Sequence, residues 1–161
     1  MTVPVVVMPT LSQTDRQDIH SGVLAMLNLF TATYATDPRF GVGGIQRVNY
    51  HALPRLRTGE GPFVYLSGIT ETVHHDPGAR TTTFKGSFGY VDTLVNPEDT
   101  DDRVNAWADF MRDVCTVNAR MLPVGTFQEV GLHEAEMPEG GPADLTNVLL
   151  EWEFVIQEGR L

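Results

Sequence analysis

His74, His75 and Asp76 form the one run in this chain whose side chains are all of metal-ligand type. Neighbouring residues on an extended strand point to opposite faces, so this run shares an ion only if the chain turns within it. His20, His51 and His133 are dispersed, and there is no HExxH or paired CxxC. The run therefore reads as a solvated hairpin tip, and no metal is expected. Ser87, in Gly86-Ser87-Phe88-Gly89, lacks the spacing and the strand–turn–helix setting of a nucleophile elbow. Gly41-Val42-Gly43-Gly44 follows a helical pattern and has no lysine where a phosphate loop needs one. Glu98, Asp99, Asp101 and Asp102 carry enough charge for a divalent cation but lack the alternating loop and final glutamate of a calcium-binding hand. Glu151 and Glu153 share a strand face, as a catalytic carboxylate pair does, and as a solvent or subunit surface does far more often. No nucleophile–base set emerges, and the expectation is a protein without catalytic residues or a cofactor, not an enzyme.

Two helices and a set of strands must position these groups. Thr14 and Gln17 fit a capping box, with Asp15 and Asp18 in the favourable first turn of a helix. Ile19, Val23, Met26/Leu27, Phe30 and Tyr34 then recur at three and four residues, and Asp37-Pro38 ends the pattern. A second helix starts at Asn96-Pro97, takes its acidic cluster at the positive end of the dipole, and runs to about Met121. Val104, Trp107, Phe110/Met111 and Val114 line its apolar face. The lone cysteine, Cys115, falls among Met111, Val114 and Ala119 and reads as a core thiol; it rules out an internal disulfide framework and suits a reducing compartment.

Gly41, Gly43 and Gly44 read as a flexible link into a peripheral strand over Ile45–His51. Phe63–Thr70 is apolar on both faces and reads as central. Glu71–Arg80 is polar and ends in the turn signal Pro77-Gly78, after which Thr81–Tyr90 resumes strand-favouring residues. The result is a long hairpin from Phe63 to Val91 with His74, His75 and Asp76 at its tip. Phe127–Glu136 reads as a strand and Pro138–Pro142 as a turn. In Leu145–Gln157 the residues Val148, Leu150, Trp152, Phe154 and Ile156 fall on one face and Asn147, Glu151, Glu153 and Gln157 on the other. The predicted fold is α+β: a two-layer, mostly antiparallel sheet with two helices on one face. Its predicted core contains Val23, Leu27, Phe30, Leu66, Trp107, Met111, Val114, Leu150, Trp152 and Phe154. The domain spans 14–158, with an extended arm over 1–13 and a short tail over 159–161. Val3 to Met8 is interrupted by Pro4 and has no basic flank, so it reads as neither signal peptide nor membrane span.

Charge narrows the function classes. Met1–Val91 holds 7 basic and 6 acidic residues, and Asp92–Leu161 holds 4 basic and 15 acidic ones. A net of −11 on one half repels nucleic acid and excludes a phosphate-tracking surface there. Arg55 and Arg57, with Arg47 and Arg80, make at most a modest basic patch, better suited to ion pairing with an acidic neighbour. Together with the hairpin tip, they give the candidate assembly contacts: His74, His75, Asp76, Arg80, Arg55 and Arg57.

The order of elements resembles the tail terminator proteins of long-tailed bacteriophages over roughly residues 14–158. The residues that carry the likeness are the amphipathic first helix ending at Asp37-Pro38 and the loop and strand Gly61-Pro62-Phe63-Val64-Tyr65-Leu66. Thr81–Val91, the helix Arg103–Met121 and the final strand Val148–Ile156 complete it. The resemblance implies a structural virion protein of the tail and neck, assembled in the host cytoplasm as a homohexameric ring. Such a ring caps the tail tube protein and offers its other face to a head-completion or neck protein. DNA passes through the ring without sequence-specific binding, and no membrane is involved. The alternatives are another neck or head-completion protein, or a small α+β ligand-binding or hydrolase domain.

Overall fold

The computed structural model describes residues 15–41, 43–57, 61–93, 97–118, 122, 125–135 and 146–159. The arm at 1–13, the Thr14 cap, the Asn96 cap, the helix end at Met121, the Pro138–Pro142 turn and the last two residues lie outside them. Helix α1, Asp15–Tyr34, buries the expected stripe: Ile19, Val23, Met26, Leu27 and Phe30 are each at most 1% exposed. Past it, Asp37 caps a 3-10 turn, Pro38–Phe40, by accepting the Arg39 backbone N–H at 3.0 Å. The glycine link, expected to be flexible, is pinned there. Gly41 N–H donates to the Pro38 carbonyl, Gly44 N–H to that of Gly41, and Ile45 N–H to that of Ala35 at 2.8 Å.

The strand expected over Ile45–His51 shrinks to β1, Gln46–Arg47. The chain turns instead into a 3-10 segment, Tyr50–Arg55. That turn brings Leu53 and Leu56 against Tyr65 and Val91, an apolar burial that a longer edge strand could not supply. The other strands are β2 (Phe63–Leu66), β3 (Thr70–Asp76), β4 (Ala79–Asp92), β5 (Thr126–Glu134) and β6 (Thr146–Gly159). The sheet runs β1-β2-β4-β6-β5, with β3 pairing β4 beyond the end of β2. Every pair is antiparallel except β1 with β2. Helix α2, Pro97–Asn118, joins α1 over one face, so the fold is α+β with a mixed, mostly antiparallel six-stranded sheet.

Register explains which residues make the core. Phe84, Phe88 and Tyr90 of β4 stand opposite Phe154, Leu150 and Val148 of β6, and all six meet α1 and α2 in one cluster. Of the predicted core, nine residues are buried to 5% exposure or less; Leu66 is the exception, only partly buried at the end of β2 while still packing on the cluster. Trp152, Trp107 and Met111 share the cluster; the ring neighbours of Trp152 are Phe88 and Phe127, at 6.3 and 5.9 Å between centroids, and Trp107 pairs with Tyr90 at 5.5 Å.

Two glycines in β4 make room for aromatics on opposite faces. A Cβ at Gly86 would lie 2.5 Å from Trp152 Cζ2, and one at Gly89 would lie 2.1 Å from Tyr65 Cζ. Each ring therefore lies flat across the strand next to its own, which is why the apparent weakness of a Gly-rich strand is compensated by packing. The face away from the helices is covered at one end: Leu53, Leu56, Tyr65 and Val91 form a second cluster, and Tyr65 Oη donates to Asn147 Oδ1 at 2.5 Å. Burial pushes the Tyr65 hydroxyl up to about 12.

At the end of β4, Asp92 is 1% exposed. It accepts the Tyr90 hydroxyl at 2.6 Å and faces the Arg103 guanidinium of α2 at 3.6 Å. Burial, and then the neighbouring carboxylate, raise the Tyr90 pKa far above its usual value, keeping that hydroxyl a donor. This group ties the sheet to α2.

Candidate assembly surface

The segment Glu71–Arg80, expected as a polar loop, is mostly strand. Thr70–Asp76 pairs residue for residue with Ala79–Lys85, and Pro77-Gly78 forms the turn between them. Every residue of β3 is exposed. The strand is therefore held by backbone pairing to β4 and not by burial. With the outer parts of β4 and β6 it makes a three-stranded arm extending past the packed core, ending where Ala79 pairs Gly159.

The candidate contacts divide between two places. His74 and Asp76 lie on one face of the arm, with His74 Nε2 3.0 Å from Asp76 Oδ1, while His75 lies on the other face opposite Arg80. Arg80 forms an ion pair with Glu158. Arg55 and Arg57 are exposed at the far end, beside the second cluster. Arg47 of β1 is level with Tyr90, and Arg80 lies ten residues further along β4, roughly 34 Å at ~3.4 Å per residue. The basic patch read from the sequence is thus two separate sites. Arg47 donates to Asn28 Oδ1, an additional local role for it.

The acidic half resolves into two surfaces. Glu98, Asp102, Asp109 and Asp113 follow one another along the outward side of α2, and each is exposed. On the sheet face away from the helices, Glu151 and Glu153 stand opposite Ser87 and Lys85. Ser87 Oγ accepts from Ser67 Oγ at 3.1 Å, with no histidine in that pairing. Among the described residues, no group of three His, Cys, Asp or Glu could hold a metal ion.

His133 bonds at both ring nitrogens. Nδ1 is 2.9 Å from the Glu134 carbonyl, and Nε2 is 2.9 Å from Glu151 Oε1. The carbonyl first, and then the carboxylate, favour the protonated ring and raise its pKa above 6.5. A raised folded-state value adds stability that is complete below the unfolded value and lost as pH rises through the folded one. The effect is small, because both side chains are more than 40% exposed. Proton NMR should give His133 a midpoint above 6.5 that falls in Glu151→Gln, and the stability gap between the two proteins should narrow from about pH 5.5 to pH 8. An unchanged midpoint in the variant contradicts the pairing.

A pocket of about 280 Å³ opens between α2 and the β5–β6 pair, lined by Phe88, Cys115, Phe127, Leu150 and Trp152. Arg112 rims it, held to Glu129 by bonds of 2.7 and 2.9 Å. Burial, and the charge of Glu129, push the Cys115 thiol up to about 12, so it is a packing group and a poor nucleophile.

Sequence reasoning missed the second cluster, the Asp92–Arg103 tie and the β3 strand. The signal for β3 was present in its β-branched residues, Thr70, Thr72 and Val73, but its polarity on both faces hid it. Among the described residues no helix is long and apolar enough to cross a membrane. These features describe an α+β sandwich with a projecting β arm. In comparison with known proteins, no family model matches the chain and no curated protein matches it.

Proposed function

We propose that this chain is a structural, ring-forming protein of the phage tail and neck, a tail terminator that caps the tail tube and meets the head-completion complex. The observation that carries the reading is the arm: seven consecutive strand residues exposed on both faces, anchored to the sheet and contributing nothing to its core. Ordered strand that buries nothing in its own subunit is surface for a neighbour. The order of elements, similar to that of tail terminators, supplies the kind of assembly. Subunits close into a ring of six through heterologous contacts, and DNA passes through the centre.

The charge distribution supports a passage that does not retain DNA. Exposed carboxylates line the outer side of α2 and repel a polyanion, while Arg47 and Arg80 are far apart and each has a partner within the chain. Negative-stain electron microscopy should show annuli with a central opening; a field of single small particles at all concentrations contradicts the reading. In mobility-shift titrations the protein should leave duplex DNA unshifted at low and moderate salt. Tight binding that weakens steeply with salt would instead make the arginines a phosphate-contacting surface and remove the passive passage.

The pocket beside Cys115 favours a second reading, a small ligand-binding domain for an apolar molecule. Thermal shifts with a panel of small aromatic compounds test it, and a flat response removes it.

A further inference from the structure

The outer edge of β3 is open: β3 pairs with β4 on one side, and among the described residues no strand covers the other. Most exposed edges carry a device against pairing, such as a bulge, a proline or a lysine. The edge strand β5 has one, a register shift between Glu129 and Gly131. β3 has none: its seven residues run in unbroken register with β4, three are β-branched Thr or Val, and no Pro or Lys interrupts them. Val73, at its centre, is 44% exposed, an apolar side chain open to solvent.

We propose that β3 pairs antiparallel with β3 of a second copy of this chain, about a twofold axis at Val73, joining the two sheets edge to edge. The pairing is self-complementary. With Val73 opposite Val73 of the second copy, all seven residues overlap: Glu71 faces His75, Thr72 faces His74, and Thr70 faces Asp76. Both carboxylates then meet a donor, and no two like charges are opposed. Register with β4 puts Glu71, Val73 and His75 on the helix side of the arm, so the apolar pair is flanked on one face by two carboxylate–imidazole pairs. Other registers lose this. Centring on His74 opposes two imidazoles and shortens the overlap, and centring on Thr72 sets Glu71 against Val73.

This contact is isologous and closes on two copies, so it stands apart from the heterologous contacts a ring requires and does not rest on that reading. It links free subunits in pairs, or one ring to another.

Site-directed cross-linking tests it. Val73→Cys is made in a Cys115→Ala background, with Val117→Cys as the control because Val117 is more exposed, at 66%. Under mild oxidation Val73→Cys should form a disulfide-linked dimer rapidly and the control should not. Register is tested by charge. In sedimentation, Glu71→Lys should weaken the pairing about tenfold, since the twofold counts each pair twice, and Glu71→Lys with His75→Glu should restore it. Apart from the buried Cys115→Ala change shared by the cross-linking variants, each change falls on an exposed side chain, and circular dichroism checks that each protein folds. Cross-linking of Val73→Cys no faster than of the control, or failure of the double exchange to restore pairing, overturns the proposal. Six-subunit rings without Val73 cross-linking leave the ring reading intact; cross-linked dimers without rings leave this contact and remove the ring.

Discussion

Replacing Trp152 by alanine is expected to destabilise the fold by about 3–5 kcal/mol, the largest effect of any single truncation considered. The indole is 2% exposed, stacks on Phe127, meets Phe88, and covers the backbone of Gly86, whose missing Cβ makes room for it. No neighbouring side chain can fill the space, because the residue opposite is a glycine and the pocket beside Cys115 already lies next to it. Truncation therefore enlarges an existing void instead of collapsing it. Among the described residues its Nε1 is buried without a hydrogen-bond partner, so Trp152→Phe keeps the ring contacts, removes that unsatisfied donor, and should cost much less. Urea melts check both, with an unchanged m-value marking a pure stability effect. A loss below about 1 kcal/mol for Trp152→Ala would mean that the strand face is not packed as described.

Arg103→Met carries the second large effect, a loss of about 3 kcal/mol, toward the low end of what breaking a buried ion pair costs. It leaves the Asp92 carboxylate, 1% exposed, without the guanidinium of α2 that faces it at 3.6 Å. Arg103 itself keeps 18% side-chain exposure, which moderates the pair's worth in both directions. Asp92→Asn combined with Arg103→Met should recover most of the loss, because the charge is removed with its partner and the Tyr90 hydroxyl still has an oxygen to bond. If the double variant is no better than Arg103→Met alone, the penalty comes from lost packing by the arginine stem and not from charge.

Periodicity made some elements legible and hid others. The final strand was readable because Val148 through Ile156 alternate large apolar residues with polar ones, and the structure buries all five. Both helical stripes were readable for the same reason. β3 was not, since a strand held by pairing alone has no apolar face to betray it, and its Thr-Glu-Thr-Val pattern reads as loop beside Pro77-Gly78. The strand expected at Ile45–His51 erred in the other direction. Its alternation is real, but Leu53 and Leu56 gain more by folding over Tyr65 than β1 gains by lengthening. Tertiary burial overrode local pattern there. The place of His74, His75 and Asp76 beside the Pro77-Gly78 turn was legible in the sequence. Their separation from Arg55 and Arg57 was invisible, because it depends on how far β4 carries Arg80 beyond β2.

The proposed assembly is a ring of identical subunits, each a small α+β domain with a projecting arm and an acidic outer surface. Light scattering coupled to size exclusion, over a range of concentrations, tests it most directly. The predicted mass is six times the 17.8 kDa chain for one ring, and twice that where β3 pairing joins two rings, alone or on adding the tail tube protein. A strict monomer at high concentration, both alone and with that partner, contradicts it.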